Sequence, residues 1–573
     1  MTEKILKKIP YGKSDFFECR KQGYAYIDKT LFIEALERNN SDYIFIVRPR
    51  RFGKTLFTST LKAYYDIAAT SDFDQNFANT YIAQHKTALA NSFYVLKMDC
   101  SGFSQGDVVS GFIIKLKSAI SDFLDRYPFE QARYVLQKEY QEPYALLNEF
   151  LSLIKAKTGK KIYFIIDEYD QFANDILSND KKKFQRYTTS QGFLKNFYET
   201  LKSATTDSGP VAKIFITGVT SIFIDSLASG FNIQKNVTSN EHFANLFGFN
   251  EAELRTLIQQ VIDFKQYDHS LDDIVKRMKV LYNGYHFCPY SKDSVFNASM
   301  CLYYLDAIQE VNREPRILLD PAFDQDLSKI HGILQLGDKK VVEEIITKAL
   351  SDEPIPFAED LSVINLNSQA SLNKNDLLST LMYFGYLTWK EDSDTLTIPN
   401  RTVAQQFFQY YFRYLRGIDN IELKASAFKN AFDKLKNGDP KDFIHTVISK
   451  LNEASGLHLS ASLHESDFAV AMATAANFSP DFKVHLELEV TGEEKGYADL
   501  VLSPLDGVNC SYIFELKYLP ANKASDDAVS EKLTEAKAQL DRYCQGDNIA
   551  SLPNLKRVAC VFVGTEVAEL IIR

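Results

Sequence analysis

Apolar and polar positions along the first 220 residues fall into two alternating kinds of segment. Four compact apolar runs, Tyr43–Val47, Phe93–Met98, Ile162–Ile166 and Ile214–Thr217, hold too few polar positions for a strand with one wet face. They predict strands buried on both sides. Between them, Val109–Arg126 and Phe193–Ser203 repeat apolar residues with a helical period. This alternation predicts a parallel sheet wrapped by helices. The polar, mixed residues 1–40 include Gly23–Thr30, predicted to open into a short helix. Residues 246–300 read as helical, with Asn283-Gly284 marking a turn. Residues 301–440 read as mostly helical, with a small β-element at Tyr386–Trp389 and Leu396–Pro399. The tail 441–573 begins with helices. It then gives strands at Val484–Val490, Ala498–Leu502, Tyr512–Leu516 and Val558–Val563, with a helix at Glu531–Tyr543 before the last. The expected fold class is therefore α/β multidomain, with regions 1–245, 246–300, 301–440 and 441–573. A length of 573 residues agrees with roughly three or four domains of about 150 residues each.

Composition narrows the picture without changing it. With 45% hydrophobic and 13% aromatic residues the chain can bury several ordinary cores. A formal charge of −10 argues against coating nucleic acid by bulk electrostatics. The charge is uneven: residues 1–66 hold 13 Lys+Arg against 8 Asp+Glu, and residues 481–573 hold 10 against 16. Contact with a polyanion must then come from local patches. The seven cysteines are scattered, with no C-x-x-C pair, and predict reduced thiols rather than a disulfide framework or zinc site. The N-terminus lacks the apolar core of a signal peptide, and no run approaches the ~20 apolar residues of a membrane helix. A soluble cytoplasmic protein without membrane contact is expected.

Chemistry enters at Arg48-Pro-Arg-Arg-Phe-Gly53-Lys54-Thr55, directly after the first apolar run. Strand, tight turn, glycine, lysine and hydroxyl residue at a helix start form a phosphate-binding loop, whose N–H groups point at an anion. Lys54 would reach the β- and γ-phosphates of ATP and Thr55 would ligate Mg²⁺. The usual first glycine of the motif is replaced by Arg48. Arg48, Arg50 and Arg51 are placed either to touch phosphates or to pair with acidic neighbours, and no finger arginine can be assigned. The run Ile162–Ile166 ends in Asp167-Glu168, the form of a Walker B element. Asp167 would hold Mg²⁺ through water, and Glu168 would orient and deprotonate the attacking water. Carboxylates at the C-terminal end of a parallel strand fall at the sheet's ligand-binding edge. Thr217, at the end of the fourth run, would reach the γ-phosphate from the same edge.

A second constellation lies near the C-terminus. Asp499 sits near the start of one strand, Pro504–Gly507 reads as a turn ending in Asp506-Gly507, and Ser511–Lys517 reads as the hairpin partner. Glu515 and Lys517, two apart, share one strand face, with Phe514 and Leu516 on the other. Two carboxylates and a lysine suit metal-assisted phosphodiester hydrolysis. The acids would bind Mg²⁺ or Mn²⁺, and Lys517 would orient the nucleophile or stabilise the charged phosphorus centre. Glu465, in a preceding helix, is an auxiliary metal ligand, with Glu487 and Glu489 as competitors for that role. Gln539 and Tyr543, at i and i+4 of the following helix, are auxiliary residues that one helix face brings toward the strands.

The chain resembles a prokaryotic family of AAA-ATPase-like proteins that carry a C-terminal PD-(D/E)XK nuclease domain. The resemblance rests on Tyr26–Thr30, Arg48–Thr55, Phe164–Asp170, Ile216–Val219, Leu246–Phe249, Tyr282–Tyr285, Ile398–Asn400, Gly496–Asp499, Glu515–Lys517 and Gln539. It implies a P-loop NTPase sheet of AAA type over 1–245, a helical lid over 246–300 and a linker region over 301–440. Residues 441–573 would then form a restriction-endonuclease-like domain. It makes the arginine-rich loop a family feature. It also places Glu465 at the first nuclease motif, Asp499 at the second, Glu515 and Lys517 at the third and Gln539 at the fourth. The family often has an arginine where Tyr497 stands, which removes one phosphate contact and leaves the metal ligands intact. ATP and a divalent metal are the implied cofactors. Nucleic acid, DNA more than RNA, is the implied partner, and AAA-type relatives often form homo-oligomeric rings. An ATP-operated switch that regulates or holds nucleic acid without cutting it is the competing expectation.

Overall fold

The computed structural model describes residues 6–573 apart from 103–106, 156–158, 172–192, 222–232, 316, 321–326, 351–352, 358–360, 362–371, 412–424, 455–463, 480, 493–494 and 506. Asp506 of the predicted turn lies outside the described residues. The chain divides into two compact units. One comprises Met1–Pro315, Ser328–Asp338 and Pro356–Pro399; the other comprises Arg316–Leu327, Lys339–Ile355 and Asn400–Arg573. Region 301–440, read from the sequence as a linker region, contributes residues to both units. Its helices are short, and a short helix is stable only when its apolar face is covered by neighbours. Val342, Ile345 and Ile346 of the helix Lys339–Leu350 are buried accordingly.

In the first unit, five parallel strands form one sheet: β1 (Tyr43–Val47), β2 (Tyr94–Asp99), β3 (Ile162–Asp167), β4 (Val211–Gly218) and β5 (Lys235–Asn236), in the order β2-β3-β4-β1-β5. All six residues of β3 are buried, as the unbroken apolar run requires. Helix α1 (Lys54–Tyr65) follows β1 directly. Helix α2 (Val108–Arg126) packs on β2 and on α3 (Pro143–Lys155), which packs in turn on α4 (Phe193–Ser203). Three more helices follow: α5 (Glu251–Val261), α6 (Leu271–Tyr282) and α7 (Ala298–Val311). Capping boxes start α5 at Asn250/Glu253 and α6 at Ser270/Asp273, so side chains satisfy their first free N–H groups. The topology puts β4 between the P-loop strand β1 and the Walker B strand β3, so the ends of all three meet at one edge.

In the second unit, α8 (Glu465–Ala476) leads into β6 (Phe482–Val490), β7 (Gly496–Pro504) and β8 (Ser511–Leu519). Helix α9 (Asp526–Tyr543), β9 (Leu555–Val563) and β10 (Glu566–Ile572) complete it. The sheet order is β10-β9-β8-β7-β6, with β8 and β9 parallel and the other pairs antiparallel. The helices pack against the sheet from both sides. Phe468 of α8 stacks on Phe562 of β9 with ring centroids 4.3 Å apart. Ala536, Leu540 and Tyr543 of α9 join Val501, Ile513 and Ala559 in a separate apolar cluster. The strand β10 is an addition to the predicted set. A turn at Gly564-Thr565 folds the last residues back as a hairpin.

Candidate functional sites

At the nucleotide site, Gly53 has φ +94°, a left-handed conformation that strains any side-chain-bearing residue, and it caps a helix whose N-terminus has no side-chain cap. The first N–H groups of α1 are therefore left for an anion. Lys54 is 3% exposed, and its Nζ donates to the carbonyls of Arg48 (3.2 Å) and Pro49 (3.1 Å). It also lies 3.3 Å from Glu168 Oε1. Asp167 is fully buried. Its Oδ2 is 2.9 Å from the Thr58 hydroxyl and 3.8 Å from Lys97 Nζ, and its Oδ1 has no partner. Burial raises the Asp167 pKa, opposed by Lys97. Glu168 adopts φ +50°, and the next residue is tied across the sheet by Tyr169 N donating to Thr217 O at 3.1 Å. Thr217 is fully buried with an unpartnered hydroxyl. A cavity of about 340 Å³ opens at Gly53, Lys54, Thr55 and Glu168 and continues between Tyr26, Ile27, Phe249 and Leu302. Lys29 holds this wall together by donating to Asn245 O (2.8 Å) and Glu253 Oε2 (2.7 Å).

Arg48 corrects an expectation. Its side chain is 2% exposed, and its guanidinium donates to the carbonyls of Val47 (2.8 Å), Thr238 (2.7 Å) and Phe243 (3.1 Å). It also lies over the Phe287 ring at 4.4 Å. Its guanidinium is engaged by these carbonyls and does not line the cavity at Gly53–Thr55, so Arg48 braces the loop. Arg50 donates to Gln171 Oε1 (2.6 Å), while Arg51 lines the cavity. Thr58 and Lys97 were not singled out from the sequence, and Tyr26 and Ile27 entered only as part of the motif Tyr26–Thr30. The hydroxyl one turn after Thr55 is the signal that points to Thr58.

At the second site, β7 and β8 pair over Leu500–Leu502 against Phe514–Tyr512, and then the ladder stops. Where it stops, the Asp499 Oδ2 accepts the Leu516 backbone N–H at 2.7 Å, taking the place of a strand carbonyl. Lys517 Nζ donates to Glu515 Oε1 (2.9 Å) and to Glu465 Oε1 (3.1 Å). The structure thus brings together Glu465, Asp499, Glu515 and Lys517. Glu515 is 1% exposed, and its second oxygen has no partner. Burial pushes the Asp499 pKa up to about 7, opposed by the Leu516 N–H and Lys517 and reinforced by Glu465 and Glu487. Burial and the neighbouring Asp499 raise Glu515 to about 8. Burial pulls Lys517 down, but Glu515, Glu465 and Asp499 outweigh it and hold Lys517 above its ordinary value.

Glu487 has φ +50° and acts on Asp499 through its charge, whereas Glu489 is exposed and lies opposite Tyr497. Gln539 keeps a buried, unpartnered Oε1, and Tyr543 packs against Gly496 so closely that a Cβ there would sit 2.4 Å from its ring. Among the described residues no three His, Cys, Asp or Glu side chains form a ready-made metal cluster. The acids instead surround Lys517. Hard oxygen donors, a free buried carboxylate oxygen and raised carboxylate pKa values nevertheless fit a divalent cation. The unpartnered Asp167 Oδ1 offers the same kind of donor at the first site.

All seven cysteines are free and buried. Among the described residues no helix is long and apolar enough to cross a membrane.

Comparison with known proteins finds a family match for each end of the chain. Residues 10–228 match the AAA-ATPase-like family, described as "Predicted AAA-ATPase". Residues 464–570 match the PD-(D/E)XK nuclease superfamily. An uncharacterized protein in the vnfD 5' region of Azotobacter chroococcum mcd 1 is 25% identical over 292 residues, 51% of this chain and 50% of that protein. The chain thus matches about half the length of this relative. The Walker-type ATPase paby2304 of Pyrococcus abyssi superimposes with a TM-score of 0.34 at 15% identity, over 70% of this chain and 98% of that one, too loosely to weigh on the fold. The chain therefore joins an AAA-ATPase-like domain over residues 10–228 to a domain of the PD-(D/E)XK nuclease superfamily over residues 464–570.

Proposed function

We propose that the protein hydrolyses ATP at its first site and, with a divalent cation, cuts phosphodiester bonds at its second, DNA in preference to RNA, the nucleotide cycle regulating cutting. The observation that carries this reading is the parting of β7 from β8 at Asp499 and Glu515, with Lys517 between Glu465 and Glu515. A purely structural strand pair gains nothing from two buried acids whose pKa values are raised by burial first and by neighbouring carboxylates second.

At the first site, the N-terminus of α1 receives the phosphates, and Lys54 exchanges its loop carbonyls for phosphate oxygens. That movement frees Glu168 to orient water and take its proton. Thr217, between the P-loop and Walker B strands, reads the γ-phosphate. Thr55 and Asp167 would hold Mg²⁺, which when bound neutralises phosphate charge.

At the second site, Asp499 and Glu515, with Glu465, would hold Mg²⁺ or Mn²⁺. The bound cation supplies activation of water and neutralisation of charge at phosphorus. Lys517 orients the nucleophile and donates to a phosphate oxygen. Tyr543 holds α9 against the strands through Gly496, and Gln539 on the same helix is an auxiliary residue with a free Oε1. Seven buried thiols fit a reducing, cytoplasmic setting. A second reading, an ATP-operated switch that binds without cutting, draws on the Lys54–Glu168 ion pair, which a nucleotide would break.

The test is incubation of linear, circular and single-stranded DNA, and of RNA, with Mg²⁺ or Mn²⁺, with and without ATP. Metal-dependent cutting of DNA, altered by ATP, supports the nuclease reading. Nucleotide turnover with every nucleic acid left intact would leave only the switch.

A further inference from the structure

The nuclease reading names the residues at the scissile phosphate and leaves open what holds the nucleotide beside it. Tyr497 stands two residues before Asp499 on β7, about 7 Å along the strand at the usual rise, roughly one nucleotide's spacing from the acid cluster. It is 55% exposed, the largest exposure of any large hydrophobic side chain described between residues 400 and 573. Its neighbours explain why the ring points outward rather than joining a core. Gly496 on one side is occupied by the Tyr543 ring, and Ala498 on the other is fully buried in the cluster against α9.

The charges around it decide what such a ring is for. Across the strands Tyr497 faces Glu489, with Glu487 and Glu465 further toward Asp499. An acidic rim repels a phosphodiester backbone, so local affinity must come from the bound cation and from contacts that carry no charge. The exposed cations near the start of this strand are Lys495 and, against Tyr543, Arg542, whose guanidinium lies 5.0 Å from that ring. Two cations cannot outweigh the acids. A flat aromatic face can bind a base without meeting the field at all, because every base has a π-face. A base inside a duplex has both faces covered by its neighbours, so only an unpaired one can use the ring.

We propose that Tyr497 is a stacking platform for an unpaired nucleobase flanking the scissile phosphate, so that the C-terminal site prefers single-stranded or frayed nucleic acid. The inference rests on the nuclease reading.

The test is fluorescence anisotropy of full-length protein with labelled oligothymidylate and with a blunt duplex, Ca²⁺ replacing Mg²⁺, at 50 and 200 mM salt. Stacking predicts that Tyr497→Ala weakens oligothymidylate binding about 5- to 100-fold, equally at both salts. The slope of affinity against salt stays that of the wild type, since no phosphate contact is lost. Tyr497→Trp stays within about twofold of wild type, Tyr497→Leu behaves like Tyr497→Ala, and duplex binding shifts less than about twofold.

An exposed side chain is not needed for folding, and an unchanged unfolding midpoint of each variant confirms this. Oligothymidylate binding by Tyr497→Ala within twofold of wild type would overturn the proposal, as would a Leu variant as good as Trp. Either result would leave the nuclease reading standing, because metal-dependent cutting by the same preparation is measured separately.

Discussion

Two buried lysines, Lys54 and Lys517, set the two ends of the molecule against each other. Lys54, 3% exposed, rests on two neutral carbonyls and a single carboxylate at 3.3 Å. Lys517, 4% exposed, bridges Glu515 and Glu465 at 2.9 and 3.1 Å, with Asp499 adding its charge. The first stands at an uncapped helix start, beside a positive-φ glycine and an open cavity. The second is surrounded by acceptors, and burial raises the pKa values of two of them, Asp499 and Glu515. The lesson is one of order. On the proposed reading, the N-terminal site receives a polyanion directly, and the C-terminal site takes a cation before it can tolerate one.

The largest expected effect that would break this contrast concerns Glu168. Replacing it with Gln removes the base and weakens the partner that holds Lys54 back. ATP turnover should fall about 10²- to 10⁴-fold, with nucleotide binding retained. Coupled-assay turnover together with nucleotide titration checks both halves.

Arg48→Met comes next. It strips three carbonyls of a charged donor, and each such loss is worth about 1.5–3 kcal/mol. The unfolding free energy of the N-terminal unit should drop by about 3 kcal/mol or more, read from denaturant midpoints. Arg48→Lys should recover little, because an ammonium cannot reproduce the guanidinium fork.

The smallest effect is on pH. Asp499 and Glu515 sit near 7 and 8 in the folded chain, against about 4 when unfolded. Between those values the folded state binds more protons than the unfolded one, so stability falls as pH rises. Metal-free protein should therefore unfold at higher denaturant in the C-terminal transition at pH 5 than at pH 8. Mg²⁺, which needs the ionised acids, should close the gap at pH 8 and do little at pH 5. A metal-free stability that rises from pH 5 to pH 8 would remove the burial of ionisable acids on which the contrast depends.

Much of this was legible in the sequence, for local reasons. The strand Tyr43–Val47 and the helix Phe193–Ser203 begin and end where the apolar pattern says. Gly53-Lys54-Thr55 and Asp167-Glu168 arrive at one sheet edge because parallel strands bring their C-terminal ends together. Asp499, Glu515 and Lys517 converge because hairpin partners face each other. What was not legible depends on distant chain. Arg48 finds its acceptors at Thr238 and Phe243 and its ring at Phe287, some 190 to 240 residues away. No period in the sequence encodes that, and a loop arginine in a motif position reads locally as a phosphate ligand. The parting of β7 from β8 is hidden for a related reason: alternation predicts pairing but not where a side chain replaces the ladder. Glu465 was separated from Glu487 and Glu489 by Lys517 reaching across to it, a contact between residues 52 apart.

The central claim, that one chain holds two chemically distinct sites centred on these two lysines, is tested most directly by exchanging the losses. ATP turnover and metal-dependent DNA cutting are measured on wild type, Lys54→Ala and Lys517→Ala. Lys517→Ala should turn over ATP normally and fail to cut, and Lys54→Ala should lose ATP turnover. Cutting by Lys517→Ala at the wild-type rate would contradict the account, as would full ATP turnover by Lys54→Ala.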